Sequence, residues 1–232
     1  MMFDENITMF IQVLLNKKIE DITEEDLKKV KTMRFTKNDI NNNENNMISE
    51  LLQIPSLETL IIYNSQITMF DIRVILQLKN LNALRFENCS FDEYSLSGLS
   101  IENNIESLSF VDCNINEYKI FLGNNLTNLE IINSEKITIN NIISNNLKNL
   151  YLSNCIIDDF NQFNKLSNLE TLFLLNIRIK DLSFINNIPN LKTVYVTSGY
   201  VDGLDNIITN VEIKTSIEEL VMDDEFNSKG LV

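Results

Sequence analysis

The sequence predicts an α/β solenoid: a stack of short turns that share one parallel β-sheet, joined by short helical, 3-10 or extended segments. Three observations carry this. The pattern Leu-x-x-Leu-x-Leu-x-x-Asn/Cys-x-Leu recurs along 232 residues, with first positions at Val30, Leu57, Leu81, Ile105, Leu126, Leu147, Leu169, Leu191 and Ile208. The steps between these are 27, 24, 24, 21, 21, 22, 22 and 17 residues, a period in the low twenties with a short final unit. The second and third positions of each unit, from Met33 and Phe35 through Val211 and Ile213, are apolar in every repeat, although only 44% of the chain is apolar. The two prolines, Pro55 and Pro189, stand in the same register, each two residues before a first position.

Each element follows from that register. Residues 1–29 form an N-terminal helical cap: Ile7, Phe10, Ile11, Leu14 and Leu15 make a helical stripe, and Thr23-x-x-Asp26 opens a second helix as a capping box. Residues 30–207 supply eight repeat units. Residues 208–232 supply the shortened last repeat, a C-terminal cap helix from Ser216-x-x-Glu219 through Val221, and an acidic tail from Asp223. In the repeat that starts at Leu126, Lys136 occupies an apolar position and Ile137 follows one residue later, so a local bulge is expected there.

LETLIIYNSQI (57–67) and LKNLYLSNCII (147–157) resemble the leucine-rich-repeat family, over about residues 20 to 216. The short repeats are similar to those of internalins and phosphatase regulatory subunits, and ITEEDLKKVKTMRF (22–35) resembles the internalin cap and first strand. The resemblance implies a horseshoe and an inward-pointing polar ladder that satisfies backbone groups of the adjacent turn. That ladder comprises Asn38, Ser65, Cys89, Cys113, Ser134 and Cys155, then Ile177, Gly199 and Ser216, and it weakens toward the C-terminus. All three cysteines fall in it, so they are assigned to structure rather than to catalysis or metal binding.

Composition narrows the function. The formal charge of −14 disfavours nucleic acid as a partner, and the absence of histidine removes the usual neutral-pH base and the commonest metal ligand. No glycine-rich phosphate loop, calcium loop or cysteine pair stands out, so neither a cofactor nor a metal is expected, and the chain is read as not an enzyme. Acidic residues precede the first apolar run where a secretory signal carries positive charge, and no run approaches the roughly 20 apolar residues of a membrane span. A cytoplasmic, reducing setting is expected, whereas the likeness to internalins points to delivery toward a host.

Side chains alternate along a strand, so residues between the apolar columns face the concave side. The central positions run Arg34, Ile61, Arg85, Ser109, Glu130, Tyr151, Phe173, Tyr195 and Glu212. Tyr151, Phe173 and Tyr195, with Ile132 and Leu175 beside them, are expected to form an exposed apolar patch that binds a protein partner. Arg85, Glu87 and Tyr63 add polar contacts on the same face. The alternatives are a self-associating scaffold, in place of the expected monomer, and a regulatory subunit that targets an enzyme. Asn64, Asn88, Asp112, Asn133, Asn154 and Asn176 read as turn residues at strand ends.

Overall fold

A computed structural model of the chain describes residues 3–37, 47–100, 103–115, 120–197 and 203–215. Nine strands form one parallel sheet in sequence order: β1 Thr32–Thr36, β2 Thr59–Tyr63, β3 Ala83–Glu87, β4 Ser107–Val111, β5 Asn128–Ile132, β6 Asn149–Ser153, β7 Thr171–Leu175, β8 Thr193–Thr197 and β9 Glu212–Lys214. At about 4.8 Å per step the sheet spans roughly 38 Å. The return segments are short. They include a helix at Met69–Ile75 and 3-10 turns at Ser95–Ser100, Phe160–Lys165 and Leu182–Asn187. A turn of some 21 to 24 residues has no room for a long helix once its strand is placed.

The apolar columns are what stack. From Met33 through Val194 the second column is at most 1% exposed, and from Phe35 through Val196 the third is at most 2% exposed. One turn cannot bury such a ridge alone, so each turn closes the face of the next. Phe86, Phe91 and Phe110 add ring contacts at 5.3 to 5.8 Å inside this core, and Phe160, Phe163 and Phe184 do the same further along at 5.0 to 6.1 Å.

The inward ladder works through atoms of modest polarity. Ser65 Oγ accepts from the Lys37 N–H and donates to the Tyr63 carbonyl, both at 2.8 Å. The thiols of Cys89, Cys113 and Cys155 lie 3.4, 3.5 and 3.5 Å from the carbonyls of Ile62, Phe86 and Ile131 on the preceding turn. Ser134 is 2% exposed in the same column. Burial pushes the Cys155 thiol up, and contact with the Cys89 sulfur together with burial does so for Cys113. At Ile177, buried but without a polar atom, the ladder has no side-chain donor. Asn38, Gly199, Ser216, the expected C-terminal helix and the acidic tail lie outside the described residues.

The bulge is present. Ile157 pairs with Ile137, a spacing of 20, whereas Leu152 pairs with Ile131, a spacing of 21, so one extra residue is absorbed between Ile132 and Lys136. Two expectations need correction. In the last repeat Val194 pairs with Ile213 and Tyr195 with Lys214, so the final step is 19 residues and the central concave residue is Lys214, not Glu212. Ile208, assigned to the first column, is 87% exposed, because shortening the unit moves Ile207, Val211 and Ile213 against the core instead. In the N-terminal cap, α1 (Glu5–Leu15) packs against β1 through Ile7 and Ile11, but Leu14 is 48% exposed, as are Met9 (61%) and Val13 (77%). The helix meets the solenoid along a narrower stripe than the sequence suggested. The capping box at α2 (Glu24–Leu27) forms: Thr23 and Asp26 bond reciprocally, and Lys17, Thr23 and Lys29 hold the Asp26 carboxyl well below its usual range.

Candidate functional site

Two systems of side chains stand on the concave face. On β6 to β9 the central column is aromatic and stacked. Tyr151 and Phe173 lie 5.5 Å apart between ring centroids, and Phe173 and Tyr195 lie 4.4 Å apart and nearly parallel, at 8°. The strand register sets this: Tyr151, Phe173, Tyr195 and Lys214 are direct partners across successive strands. Lys214 closes the row, its Nζ 5.0 Å from the Tyr195 ring centroid and 3.1 Å from its hydroxyl.

The expected open patch is a closed one. Phe173 is 2% exposed, Tyr195 3% and Leu175 9%, with Tyr151 half-buried against them, so these residues form a second apolar cluster separate from the solenoid core. Stacked rings shield one another's faces, which a single-strand reading cannot register. Ile132 is half-buried and stands outside that cluster. Burial and the charge of Glu130 push the Tyr151 hydroxyl up to about 12.

On β1 to β5 the face is ionic. Glu87 bridges two arginines, accepting from Arg34 Nη2 at 2.6 Å and Arg85 Nε at 2.8 Å. Arg85 Nη1 continues to Glu130 Oε2 at 2.6 Å and to Ser109 Oγ at 3.2 Å, and the Ser109 hydroxyl also bonds Glu130. The Arg34 guanidinium sits 4.8 Å over the Tyr63 ring. Thus Arg85, Glu87 and Tyr63 are brought together, while Tyr151, Phe173, Tyr195 and Leu175 form a different group. Burial opposes ionisation of Glu87, but hydrogen bonds from Arg85 and Arg34 outweigh it and its pKa lies below the ordinary value.

Glu130 joins the two systems and was not singled out as a site residue. Its side chain is fully buried, Oε1 has no hydrogen-bond partner among the described residues, and burial raises its pKa against the pull of Ser109 and Arg85. A signal existed in the sequence: Glu130 and Tyr151 occupy the same column on consecutive turns.

Asparagines frame the face on both sides. The six residues at the strand ends, Asn64 to Asn176, all have φ between 49° and 55°, the left-handed conformation that Asn and Asp tolerate best after glycine. Their amides bond from turn to turn: Asn88 to Asn64 at 2.7 Å, Asn154 to Asn133 and Asn133 to Asp112 at 2.8 Å, and Asn176 to Asn154. A second column precedes the strands. Asn80, Asn104, Asn125, Asn146, Asn168 and Asn190 each donate to a carbonyl of the previous turn at 2.5 to 2.7 Å. Each immediately precedes a first-column residue, so this ladder too was readable.

Away from the sheet, a groove of about 420 Å³ is lined by Asp158, Phe160, Arg178, Lys180, Asp181 and Phe184. Among the described residues no cluster of three or more Cys, Asp or Glu could hold a metal ion, and no helix is long and apolar enough to cross a membrane.

No protein-family model matches the sequence, and no curated protein matches it. Among solved structures, internalin C2 of Listeria monocytogenes is similar with a TM-score of 0.56 and 18% identity, over 92% of this chain and 93% of that one. Internalin F of the same organism gives 0.48 and 16%, over 91% and 75%. TLR13, solved in complex with ssRNA13, gives 0.48 and 17%, over 86% of this chain and 35% of that one. The chain therefore has the leucine-rich-repeat fold.

Proposed function

We propose that this leucine-rich-repeat solenoid is a non-catalytic protein-binding module that docks a protein partner on its concave sheet. One observation carries the reading: the concave face holds a separate apolar cluster and a four-residue ion network, neither of which the solenoid needs to close its core. A preformed curved sheet loses little conformational freedom on docking, and aromatic and arginine side chains are the types that dominate interface energetics. Arg34, half-exposed over Tyr63, is the accessible end of that surface.

The test is affinity capture from the native cell with the intact chain, an Arg34→Ala/Tyr63→Ala variant, and an Ile156→Ser control on the exposed strand outside the sheet. A partner held by the wild type and the control but lost by the folded concave variant supports the reading. Equal recovery by all three overturns it. Self-association has one observation in its favour, the apolar residues Met9, Val13 and Leu14 exposed on α1. Sedimentation that depends on concentration in the wild type and not in Val13→Glu is its signature.

A further inference from the structure

Past the corner that ends each concave strand, backbone bonds join one turn to the next. The Asp92 N–H donates to the Ile67 carbonyl at 3.1 Å, and the Asp158 N–H to the Ile137 carbonyl at 3.4 Å. Lys180 holds the equivalent place one turn later, 22 residues after Asp158, the spacing at which Thr171 pairs with Asn149. Among the described residues its N–H makes no bond to the Ile157 carbonyl, so the strand Ile156–Ile157 pairs with Lys136–Ile137 on one edge and is open on the other. The corner that leads into this turn carries Ile177 where the preceding corners carry Ser or Cys. The groove of about 420 Å³ lies between these two turns. Its lining has a definite chemistry. Phe160, half-buried, and Phe184, buried, form an aromatic floor with ring centroids 5.0 Å apart. Ile177 and Ile179 are buried, so the alternating Arg178 and Lys180 stand together on the outer side. Among the described residues neither cation has an ion-pair or hydrogen-bond partner for its side chain, whereas Lys148 and Lys192, on the turns before and after, both reach Glu170. The three carboxylates at the rim are already engaged. Asp158 accepts from the Thr138 hydroxyl, Asp159 from the Asn161 N–H, and Asp181 from the N–H and hydroxyl of Ser183, at 2.7 to 3.0 Å.

We propose that this groove is a second binding site, separate from the concave sheet, for a short extended peptide of a partner protein that carries an apolar or aromatic side chain next to a carboxylate. The apolar side chain packs on Phe160 and Phe184. The carboxylate accepts from Arg178 and Lys180, cations that the described chain leaves without a counter-ion. The peptide backbone bonds to the open edge at Ile157, as an added strand does at an unpaired sheet edge. The volume is that of a small-ligand site and not of a whole interface, so only a short segment enters. Three rim carboxylates repel a densely charged polyanion such as a nucleic-acid backbone, a penalty that a single carboxylate beside an apolar group reduces.

Selection from a displayed library of random linear hexapeptides on the intact chain tests this. Enriched peptides should carry Asp or Glu beside an aromatic or aliphatic residue. A synthetic copy of the most enriched of these, measured by fluorescence anisotropy, should bind about tenfold more weakly to a folded Arg178→Gln/Lys180→Gln variant. It should bind undiminished to Arg73→Gln/Lys79→Gln, which removes two exposed cations outside the groove. No enrichment of acidic peptides, undiminished binding by the groove variant, or equal loss in both variants overturns the proposal. Should the groove variant unfold, the native chain decides. A benzophenone at the peptide's apolar position should form adducts on residues 157–161 or 178–184, and adducts elsewhere overturn the proposal. The Arg34→Ala/Tyr63→Ala variant should bind the peptide as the wild type does, so failure here is distinct from failure of the capture experiment; loss of binding there would place the peptide on the concave sheet and overturn this site. Binding of single-stranded oligouridylate that depends on Arg178 and Lys180, in place of the peptides, would overturn the assigned ligand class.

Discussion

The two halves of the concave sheet share one backbone and differ in the central column of side chains built on it. From β1 to β5 the central column is Arg34, Ile61, Arg85, Ser109 and Glu130, held by charge-assisted hydrogen bonds. From β6 to β9 it is Tyr151, Phe173, Tyr195 and Lys214, held by ring stacking and a cation over the last ring. The repeat dictates where a side chain stands and leaves its exposure to its neighbours on adjacent turns. The seam shows this most clearly. Glu130 is directly opposite Tyr151, so the first ring of the stack shields the last carboxylate of the ion network, and the acid is buried although it stands on the open side of a sheet.

The largest test of the contrast removes the middle ring. Phe173→Ala should cost about 3–5 kcal/mol in urea denaturation, the range for a fully buried phenylalanine. Arg34→Ala, at the exposed end of the other half, should cost less than about 1 kcal/mol, the usual value of an accessible ion pair. Similar losses in the two variants would mean that the halves are equally open, and the contrast would fail.

The next test asks whether burial of Glu130 is as costly as its unbonded oxygen implies. Arg85→Met keeps the length of the side chain but removes the cation, leaving Glu130 buried with Ser109 as its described partner. A loss of about 2–3 kcal/mol near neutral pH is expected, below the full range for broken buried pairs because Arg85 is 24% exposed. The pH dependence fixes the cause. Glu130 has a folded-state pKa above its unfolded one, so the folded state binds its proton more tightly. Its contribution is most favourable below the unfolded value of about 4.3 and declines as pH rises through the folded value. Removing Arg85 raises the folded value further. The penalty of Arg85→Met should therefore be larger at pH 7.5 than at pH 5, and a penalty independent of pH would assign the loss to packing instead.

Much of this was legible before any coordinates, and the rest was hidden for identifiable reasons. Period and column register gave eight of the nine strands, because an apolar ridge leaves its signature in spacing alone. The register failed at β9, where two frames, Val211/Ile213 and Ile213/Thr215, compete and strand pairing selects the second. The facing direction of Tyr151, Phe173 and Tyr195 could be read from alternation. Their burial could not, since it depends on three turns acting together. Twelve Asn and Asp positions sit in two ladders, one defined by positive φ and one by donation to the previous turn. Both were present as columns and lacked only the question of what each column bonds.

These ladders frame both halves of the sheet, so they provide a smaller perturbation common to both. Asn154→Ala should cost about 1–2 kcal/mol, since alanine resists φ near 52° and two amide bonds are lost with the side chain. Asn154→Gly should recover the backbone part and leave a deficit of under about 1 kcal/mol. Equal losses for Ala and Gly, measured by thermal denaturation, would place the whole effect in the side-chain bonds.

The smallest effect lies where the strand-end ladder is interrupted. Asp112 accepts from Asn133 but has no N–H to offer Asn88, so among the described residues the amide chain breaks into a run from Asn176 to Asp112 and a pair, Asn88 and Asn64. The break falls within the ionic half of the sheet. Asp112→Asn supplies the missing donor, tolerates the observed φ of 53°, and removes one negative charge from a chain carrying −14. A gain of about 0.5 kcal/mol is expected, or roughly 1–2 °C in Tm for a chain of this size. It should persist at high salt if the new hydrogen bond is responsible, and vanish there if relief of repulsion is the cause. A fall in Tm would show instead that the charge on Asp112 strengthens the bond from Asn133 by more than a continuous ladder returns.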